Sequence, residues 1–137
     1  MIKQFTFLFF IIILTSCNTV DYKKNSPITA ELKAKKQATI IEKYVDNCAH
    51  KYNYNVSMSK WQGCLDKGLK EDSTVAYLWQ QKAMPYFKAK KYEMGMLYID
   101  KAVIYNPKRW QPYRAFIKCI FAKTHKAAII DFEACKK

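Results

Sequence analysis

The sequence predicts an all-α protein built from about six helices. Apolar residues recur at spacings of three and four along most of the chain, which is the period of an amphipathic helix. Only 3 of the 137 residues are glycine, so the chain has few residues suited to tight turns between strands. Half of the residues are hydrophobic, which is enough for a core, and the length suits one domain.

The chain begins with a short apolar segment. Lys3 precedes an uncharged run from Phe5 to Leu14, which is too short to cross a bilayer. The run ends at Leu14-Thr15-Ser16-Cys17, which resembles the lipobox of bacterial lipoproteins. The resemblance implies that residues 1–16 are a signal peptide, that Cys17 is acylated, and that the protein is anchored in the cell envelope, at the outer membrane or the periplasmic face. The alternative is a bare apolar N-terminal anchor.

Residues 17–28 are expected to form a flexible basic tether. They show no apolar period, and they contain Ser26, Pro27 and the pair Lys23-Lys24. Further lysines follow directly in the next segment. This basic stretch either rests on anionic lipid head groups or is a solvated linker, and the sequence leaves both open.

The helical domain is expected to cover residues 29–137. Its first helix, over 35–52, has an apolar face, which is followed by a loop over 53–59 and by a helix over 60–70. The face of the first helix consists of Ile40, Ile41, Tyr44, Val45, Cys48, Ala49 and Tyr52. In the second helix Trp61, Leu65 and Gly68 share one side.

Residues 76–107 carry two amphipathic patterns joined by a polar turn, which predicts a helical hairpin. Small residues, Ala83 and Gly95, occupy both patterns where two helices would cross closely. Asn106-Pro107 ends the second helix, because proline disfavours a helical residue before it.

The order of residues in this hairpin resembles the tetratricopeptide-repeat (TPR) family, with the best-matched repeat at 76–109. The residues that carry the resemblance are Trp79, Ala83, Tyr86, Tyr92, Gly95, Ile99, Ala102 and Pro107. Trp61, Leu65 and Gly68 lie one 34-residue period before the second helix of this repeat. A further repeat follows at Tyr113, Ile117, Ile120, His125, Ala128, Phe132 and Cys135 when one turn residue is deleted. The resemblance implies TPR-like hairpins stacked as a short α-solenoid.

Three residues depart from the TPR pattern. Lys82 replaces the usual leucine, Pro85 should kink the helix or break one backbone bond, and Trp61 fills a position that is normally small. The final helix, about 126–137, should expose apolar residues such as Ile129, Ile130 or Phe132 along one side. Such a face implies either a natural truncation or a partner that completes the stack.

Four cysteines follow Cys17 and allow three disulfide pairings. Cys48–Cys64 and Cys119–Cys135 are the easiest, since each pair is 16 residues apart across one expected hairpin. An exported protein meets an oxidising compartment, where disulfides form. The alternative is that these cysteines are small buried apolar residues.

The sequence offers no case for an enzyme, a metal site or a cofactor. His50 and His125 have no neighbouring pattern of cysteines or carboxylates that would bind zinc or activate a nucleophile. The net charge is +13, but nucleic acid is a poor candidate partner for an exported, anchored protein.

The TPR resemblance implies a protein–protein interaction module that binds a peptide in a groove lined by the first helices. The positions that it selects are Tyr77, Gln80, Met84, Phe87, Lys88, Gln111, Arg114, Lys118 and Phe121. This set contains aromatics and cations but no acid, so an acidic partner is expected. The alternative is a lipoprotein that captures an anionic glycan or a small acidic ligand on its basic surface.

Overall fold

The computed structural model describes residues 27–136. All regular secondary structure in this range is helical, and the range contains no β-strand. The six α-helices are α1 (Pro27–Ile41), α2 (Met58–Glu71), α3 (Ala76–Lys88), α4 (Tyr92–Tyr105), α5 (Pro107–Phe116) and α6 (His125–Ala134). The prediction of an all-α chain with about six helices is therefore confirmed. Within the described range, no helix combines the length and the apolar character needed to span a bilayer.

Each helix packs mainly against its neighbours in the chain. The most extensive contact joins α3 to α4, and further contacts join α2 to α3, α4 to α5, and α5 to α6. Contacts between sequence neighbours are what a stack of helical hairpins requires. Cys17 and residues 18–26 of the expected tether lie outside the described residues, as does the leader.

The first hairpin is less regular than the sequence suggested. The chain is already helical at Pro27, the first described residue, which lies inside the expected tether. The expected helix over 35–52 stops at Ile41 and continues as a π-helical segment, Glu42–Asp46, and a 3₁₀ turn, Ala49–Lys51. Val45 and Ala49 of this irregular segment remain buried, so its apolar residues still pack into the core.

Trp61 is packed between two aromatic rings from this irregular segment and the loop after it. Its ring centroid lies 5.5 Å from that of His50 and 5.3 Å from that of Tyr54. A disulfide joins Cys48 to Cys64, with the two Cα atoms 5.8 Å apart, and ties the segment to α2. Cys119 and Cys135, the other pair considered, are both free thiols.

Two hydrophobic clusters meet along α3. The first joins α1, the irregular segment, α2 and the start of α3, and consists of Ile40, Val45, Ala49, Trp61, Cys64, Leu65, Leu69, Val75 and Leu78. The second joins α3, α4 and α5, and consists of Ala76, Ala83, Phe87, Ile99, Ala102, Val103, Trp110 and Ile117. Because α3 belongs to both clusters, it holds the two halves of the described chain together.

Small residues let the helices approach each other. The ring of Phe87 lies directly over Gly95, where a β-carbon would collide with it. Gly68 has the same relation to Leu78. Ala83 is fully buried in the α3–α4 contact. The small residues of the repeat pattern therefore have a packing role in this chain.

Pro85 and Lys82, the two residues of α3 that depart from the TPR pattern, are accommodated differently. Helix α3 runs without interruption through Pro85. The side chain of Lys82 is buried, but its ammonium group reaches the carboxylate of Asp66 at 2.5 Å and lies 5.2 Å from the ring centroid of Tyr98. The charge is therefore paired, and its aliphatic stem occupies the place of an apolar side chain.

The hairpins α3–α4 and α5–α6 turn in the same way, 33 residues apart. Lys90 and Lys123 both have positive φ, 59° and 58°. After each of these lysines, a backbone N–H donates a hydrogen bond to the helical segment before the turn. Lys91 donates to the Tyr86 carbonyl at 2.8 Å. Thr124 donates at 2.9 Å to the carbonyl of Lys118, which lies in the π-helical segment Ile117–Phe121 that follows α5. A left-handed residue followed by such a bond is a common helix ending.

Candidate functional site: the groove between α3 and α5

Helices α3 and α5 lie side by side and are joined by aromatic contacts. The ring of Tyr77 stacks on Trp110 with centroids 6.3 Å apart, and that of Phe87 is 6.5 Å from Tyr113. The Tyr113 hydroxyl donates to the sulfur of Met84 at 3.2 Å. Residues at the C-terminal end of α3, in the turn after it, and in α5 and the segment after it line a groove.

This groove, called here the α3–α5 groove, contains a cavity of about 310 Å³. The residues that line it are Met84, Phe87, Lys88, Lys90, Tyr92, Tyr113, Phe116, Ile117 and Phe121. All but the two lysines are apolar or aromatic. Apolar walls with a small number of polar groups are typical of ligand-binding cavities, and this volume lies at the small end of their range.

The cations of the groove are exposed at its edge. Neither Lys88 nor Lys90 forms an ion pair with any residue in 27–136. Burial raises the pKa of the Tyr113 phenol above its usual value, against a smaller opposing effect of a hydrogen bond with Gln80. The phenol therefore remains a neutral hydrogen-bond donor at physiological pH.

The structure brings together four of the nine residues that the sequence selected for partner binding. Met84, Phe87, Lys88 and Phe121 line the α3–α5 groove. Phe87 is largely buried, whereas Phe121 is 46% exposed and packs edge-to-face on Phe116. Phe121 and Phe116, each 46% exposed, are therefore the aromatic side chains of the groove most available to a partner.

Three further selected residues lie away from this cavity. Tyr77 is at the opposite end of α3, stacked on Trp110. Gln80 is buried, and its side-chain oxygen accepts a hydrogen bond from the side-chain amide of Gln81 at 3.0 Å. Gln111 follows Trp110 near the start of α5 and is partly exposed.

The last two selected residues, Arg114 and Lys118, are paired with acids. Arg114 contacts Asp131 through Nε at 2.9 Å and through Nη2 at 2.5 Å, and its Nη1 reaches Asp100 at 2.7 Å. Lys118 reaches the same Asp131 carboxylate at 2.8 Å. The expectation that no acid accompanies these cations is therefore wrong, because α4 and α6 each supply one.

Sequence reasoning missed several groove residues, for identifiable reasons. Tyr113 and Ile117 were assigned to repeat positions that pack the helices, and both also line the cavity. Lys90 and Tyr92 were assigned to the turn region. The signal that could have found them is the 33-residue relation between the two hairpin turns, which places the turn of α3–α4 beside that of α5–α6.

The described residues hold no group of three or more His, Cys, Asp or Glu side chains arranged to bind a metal ion. His50 contacts the Asp46 carboxylate at 3.3 Å, and the Nδ1 atom of His125 is 3.9 Å from the Cys119 sulfur.

Comparisons of the chain with protein-family models, with curated proteins and with solved structures find no match.

Proposed function

We propose that this protein is a membrane-anchored TPR lipoprotein that acts as a protein–protein interaction module in the bacterial cell envelope. The observation that carries the proposal is the α3–α5 groove, an apolar cavity edged by two lysines that form no ion pair within residues 27–136. A matching partner is a peptide segment with apolar side chains beside acidic ones. Apolar groups would enter the cavity, and carboxylates would meet Lys88 and Lys90.

Two features support assigning the helices to TPR-like repeats. The hairpin turns share a left-handed lysine at a spacing of 33 residues, so α3–α4 and α5–α6 are equivalent units. Gly95 and Ala83, two of the residues that carry the TPR resemblance, are small at the places where helices pack closely. In TPR proteins the first helices of successive repeats line the binding groove, and here those helices are α3 and α5.

Different residues would contribute different parts of the binding free energy. Aromatic side chains such as Phe121 supply contact area with few rotatable bonds to order. Exposed lysines at the rim speed encounter and select partner charge more than they add affinity. Because Arg114 and Lys118 already pair with acids, we assign the selection of acidic partners to Lys88 and Lys90 instead.

The anchor rests on Cys17 and the lipobox-like tetrad before it. Several acyl chains on this residue would give stable attachment, whereas one would be marginal. Mass spectrometry of the mature N-terminus tests this part by itself. The expected product begins at an acylated Cys17, and residues 1–16 still joined to an unmodified Cys17 would refute the anchor.

The groove is tested with peptides selected from a random library on the purified protein. We expect the selected peptides to combine apolar and acidic residues. Phe121→Ala should weaken their binding by about tenfold or more with little dependence on salt, as for a central aromatic contact. Lys88→Glu should weaken it by about threefold to tenfold, and the effect should diminish as salt is added.

The matched control is Lys67→Glu, an equal change of charge on the exposed face of α2, far along the chain from the groove. Circular dichroism and melting should first show that all three variants fold. Unchanged affinity in both groove variants would refute the site. Saturable binding of an anionic glycan that is lost in Lys88→Glu, with no peptide selected, would instead favour the ligand-capturing alternative.

A further inference from the structure

A second and larger cavity lies on the other side of Lys90 and Tyr92 from the α3–α5 groove. It has a volume of about 700 Å³ and is called here the turn cavity, because it lies between the first turn of α4 and the turn that joins α5 to α6. The residues that line it are Lys90, Lys91, Tyr92, Glu93, Met94, Met96, Lys118, Ala122, Thr124 and Ala127. Its volume lies well inside the range of small-molecule sites.

One wall of the turn cavity is apolar and adaptable. Met94, Met96, Ala122 and Ala127 supply methyl and thioether groups and no side-chain hydrogen-bond donor. Thioether side chains are flexible and polarisable, so they adjust to a chain of variable shape. A peptide backbone lying on this wall would leave its N–H and C=O groups without partners, and such groups are costly to bury. An aliphatic chain has no such cost.

The turn cavity also carries positive charge. Lys90, Lys91 and Lys118 line it, and Glu93 is the single acid among these described lining residues. Lys118 is already paired with Asp131 at 2.8 Å. Lys90 and Lys91 form no ion pair with any residue in the described range, so they are available to an anion.

We propose that the turn cavity binds a single-chain amphiphilic anion, a long-chain fatty carboxylate. The carboxylate would lie at Lys90 and Lys91, and the alkyl chain would lie along Met94, Met96 and the two alanines. Two lysines available to the carboxylate, and four apolar side chains available to the alkyl chain, argue for this ligand class. The site adjoins the α3–α5 groove, with which it shares Lys90 and Tyr92, but this proposal does not depend on the peptide partner proposed there.

The test titrates the purified protein with dodecanoate below its micellar concentration. The readout is the ¹³C-labelled methionine methyl resonances, assigned by single Met→Leu variants. Met94 and Met96 line the turn cavity, Met84 lines the α3–α5 groove, and Met58 lies at the start of α2. We expect the resonances of Met94 and Met96 to shift and saturate, while those of Met84 and Met58 stay in place.

Matched ligands separate charge from chain length. Hexanoate carries the same charge on a shorter chain, and each methylene that becomes buried changes affinity by about fourfold, so its binding should be much weaker. Dodecyltrimethylammonium carries the same chain with the opposite charge and should bind less tightly than dodecanoate. Equal binding of hexanoate would mean a simple anion site, and equal binding of the cation would mean non-specific apolar adsorption. Either result overturns the proposal.

Variants of the lining residues, compared with a control variant outside the cavity, test where the ligand binds. Ala127→Trp fills the cavity and should abolish the shifts of Met94 and Met96. Lys91→Gln should weaken dodecanoate by about twofold to fivefold, as for one exposed charge, whereas Lys101→Gln on the exposed face of α4 should not. Lys91 is exposed, so its variant keeps the test decisive if Ala127→Trp fails to fold. Dodecanoate affinity that is the same in Lys91→Gln and Lys101→Gln would overturn the assignment.

Discussion

Arg114 of α5 holds Asp131 of α6 with two hydrogen bonds, one from Nε at 2.9 Å and one from Nη2 at 2.5 Å. The Asp131 side chain is only 4% exposed, and Lys118 approaches the same carboxylate at 2.8 Å. Few apolar residues of α6 are buried, since Ile129, Ile130 and Phe132 are 54%, 67% and 42% exposed. The ion-paired carboxylate is therefore a principal attachment of the last helix to the rest of the chain.

Replacing this carboxylate should loosen α6. Asp131→Ala should lower the free energy of unfolding by about 2–4 kcal/mol, because it removes the buried acid of Lys118 and leaves Arg114 paired only with Asp100. Hydrogen exchange in α6 should accelerate more than in α3 or α4. The control is Glu133→Ala, an exposed acid two residues along the same helix, which should change stability by less than about 0.5 kcal/mol. Equal effects of the two variants would contradict this role of Asp131.

Lowering the pH should weaken the attachment of α6 through Asp131. Burial of Asp131 opposes its ionisation, but hydrogen bonds from Arg114 and Lys118 outweigh that cost, so the pKa of Asp131 lies below its usual value of 3.8. The stabilisation is therefore complete above pH 3.8 and is lost as the pH falls through the lowered pKa of the folded state. Denaturation at a series of pH values should show a steeper acid loss in the unmodified protein than in Asp131→Asn. Parallel curves would exclude this linkage.

Two glycines provide a matched pair for the packing of α3 against α4. A β-carbon at Gly95 would collide with the Phe87 ring, so Gly95→Ala should destabilise the protein by about 1–3 kcal/mol. Nothing lies within 4 Å of a β-carbon at Gly63, so Gly63→Ala in α2 should stabilise by about 0.5–1 kcal/mol. Denaturant unfolding measures both. A neutral or stabilising Gly95→Ala would mean that the helices are not packed this closely.

The disulfide should stabilise the first hairpin. Closing a loop of 16 residues is worth about 3 kcal/mol through the entropy of the unfolded chain. Cys48→Ser with Cys64→Ser should therefore lower the unfolding free energy by about that amount, whereas Cys119→Ser should have a small effect. Peptide mapping without reductant identifies the bond directly. Free thiols at both Cys48 and Cys64 would show that the hairpin is not tied in this way.

The sequence was most informative where packing depends on residue size. Gly95 and Ala83 indicated a close helical hairpin, and the structure places both at helix contacts. The sequence also predicted exposed apolar residues on α6, and Ile129, Ile130 and Phe132 are exposed. The interruption after Ile41 was not predicted, because the apolar spacing in the sequence continues through it as far as Tyr52.

Charge pairing was beyond the reach of the sequence pattern. Arg114 and Asp131 are 17 residues apart and on different helices, and the register of α6 is shifted by the missing turn residue. The repeat pattern alone therefore could not show that this arginine faces an acid. For the same reason it selected Arg114 for a partner and overlooked Lys90, which forms no ion pair with any residue in the described range.

One measurement tests the central claim, that the α3–α5 groove binds an apolar and acidic peptide. A library-selected peptide is titrated into protein labelled at the methionine methyl groups, with Met84 reporting on the groove, Met94 and Met96 on the turn cavity, and Met58 on neither. The account predicts a saturable shift of Met84, with an affinity that falls in Phe121→Ala, while Met58 stays unchanged. A peptide that binds while Met84 remains unmoved, with its affinity the same in Phe121→Ala, would contradict it.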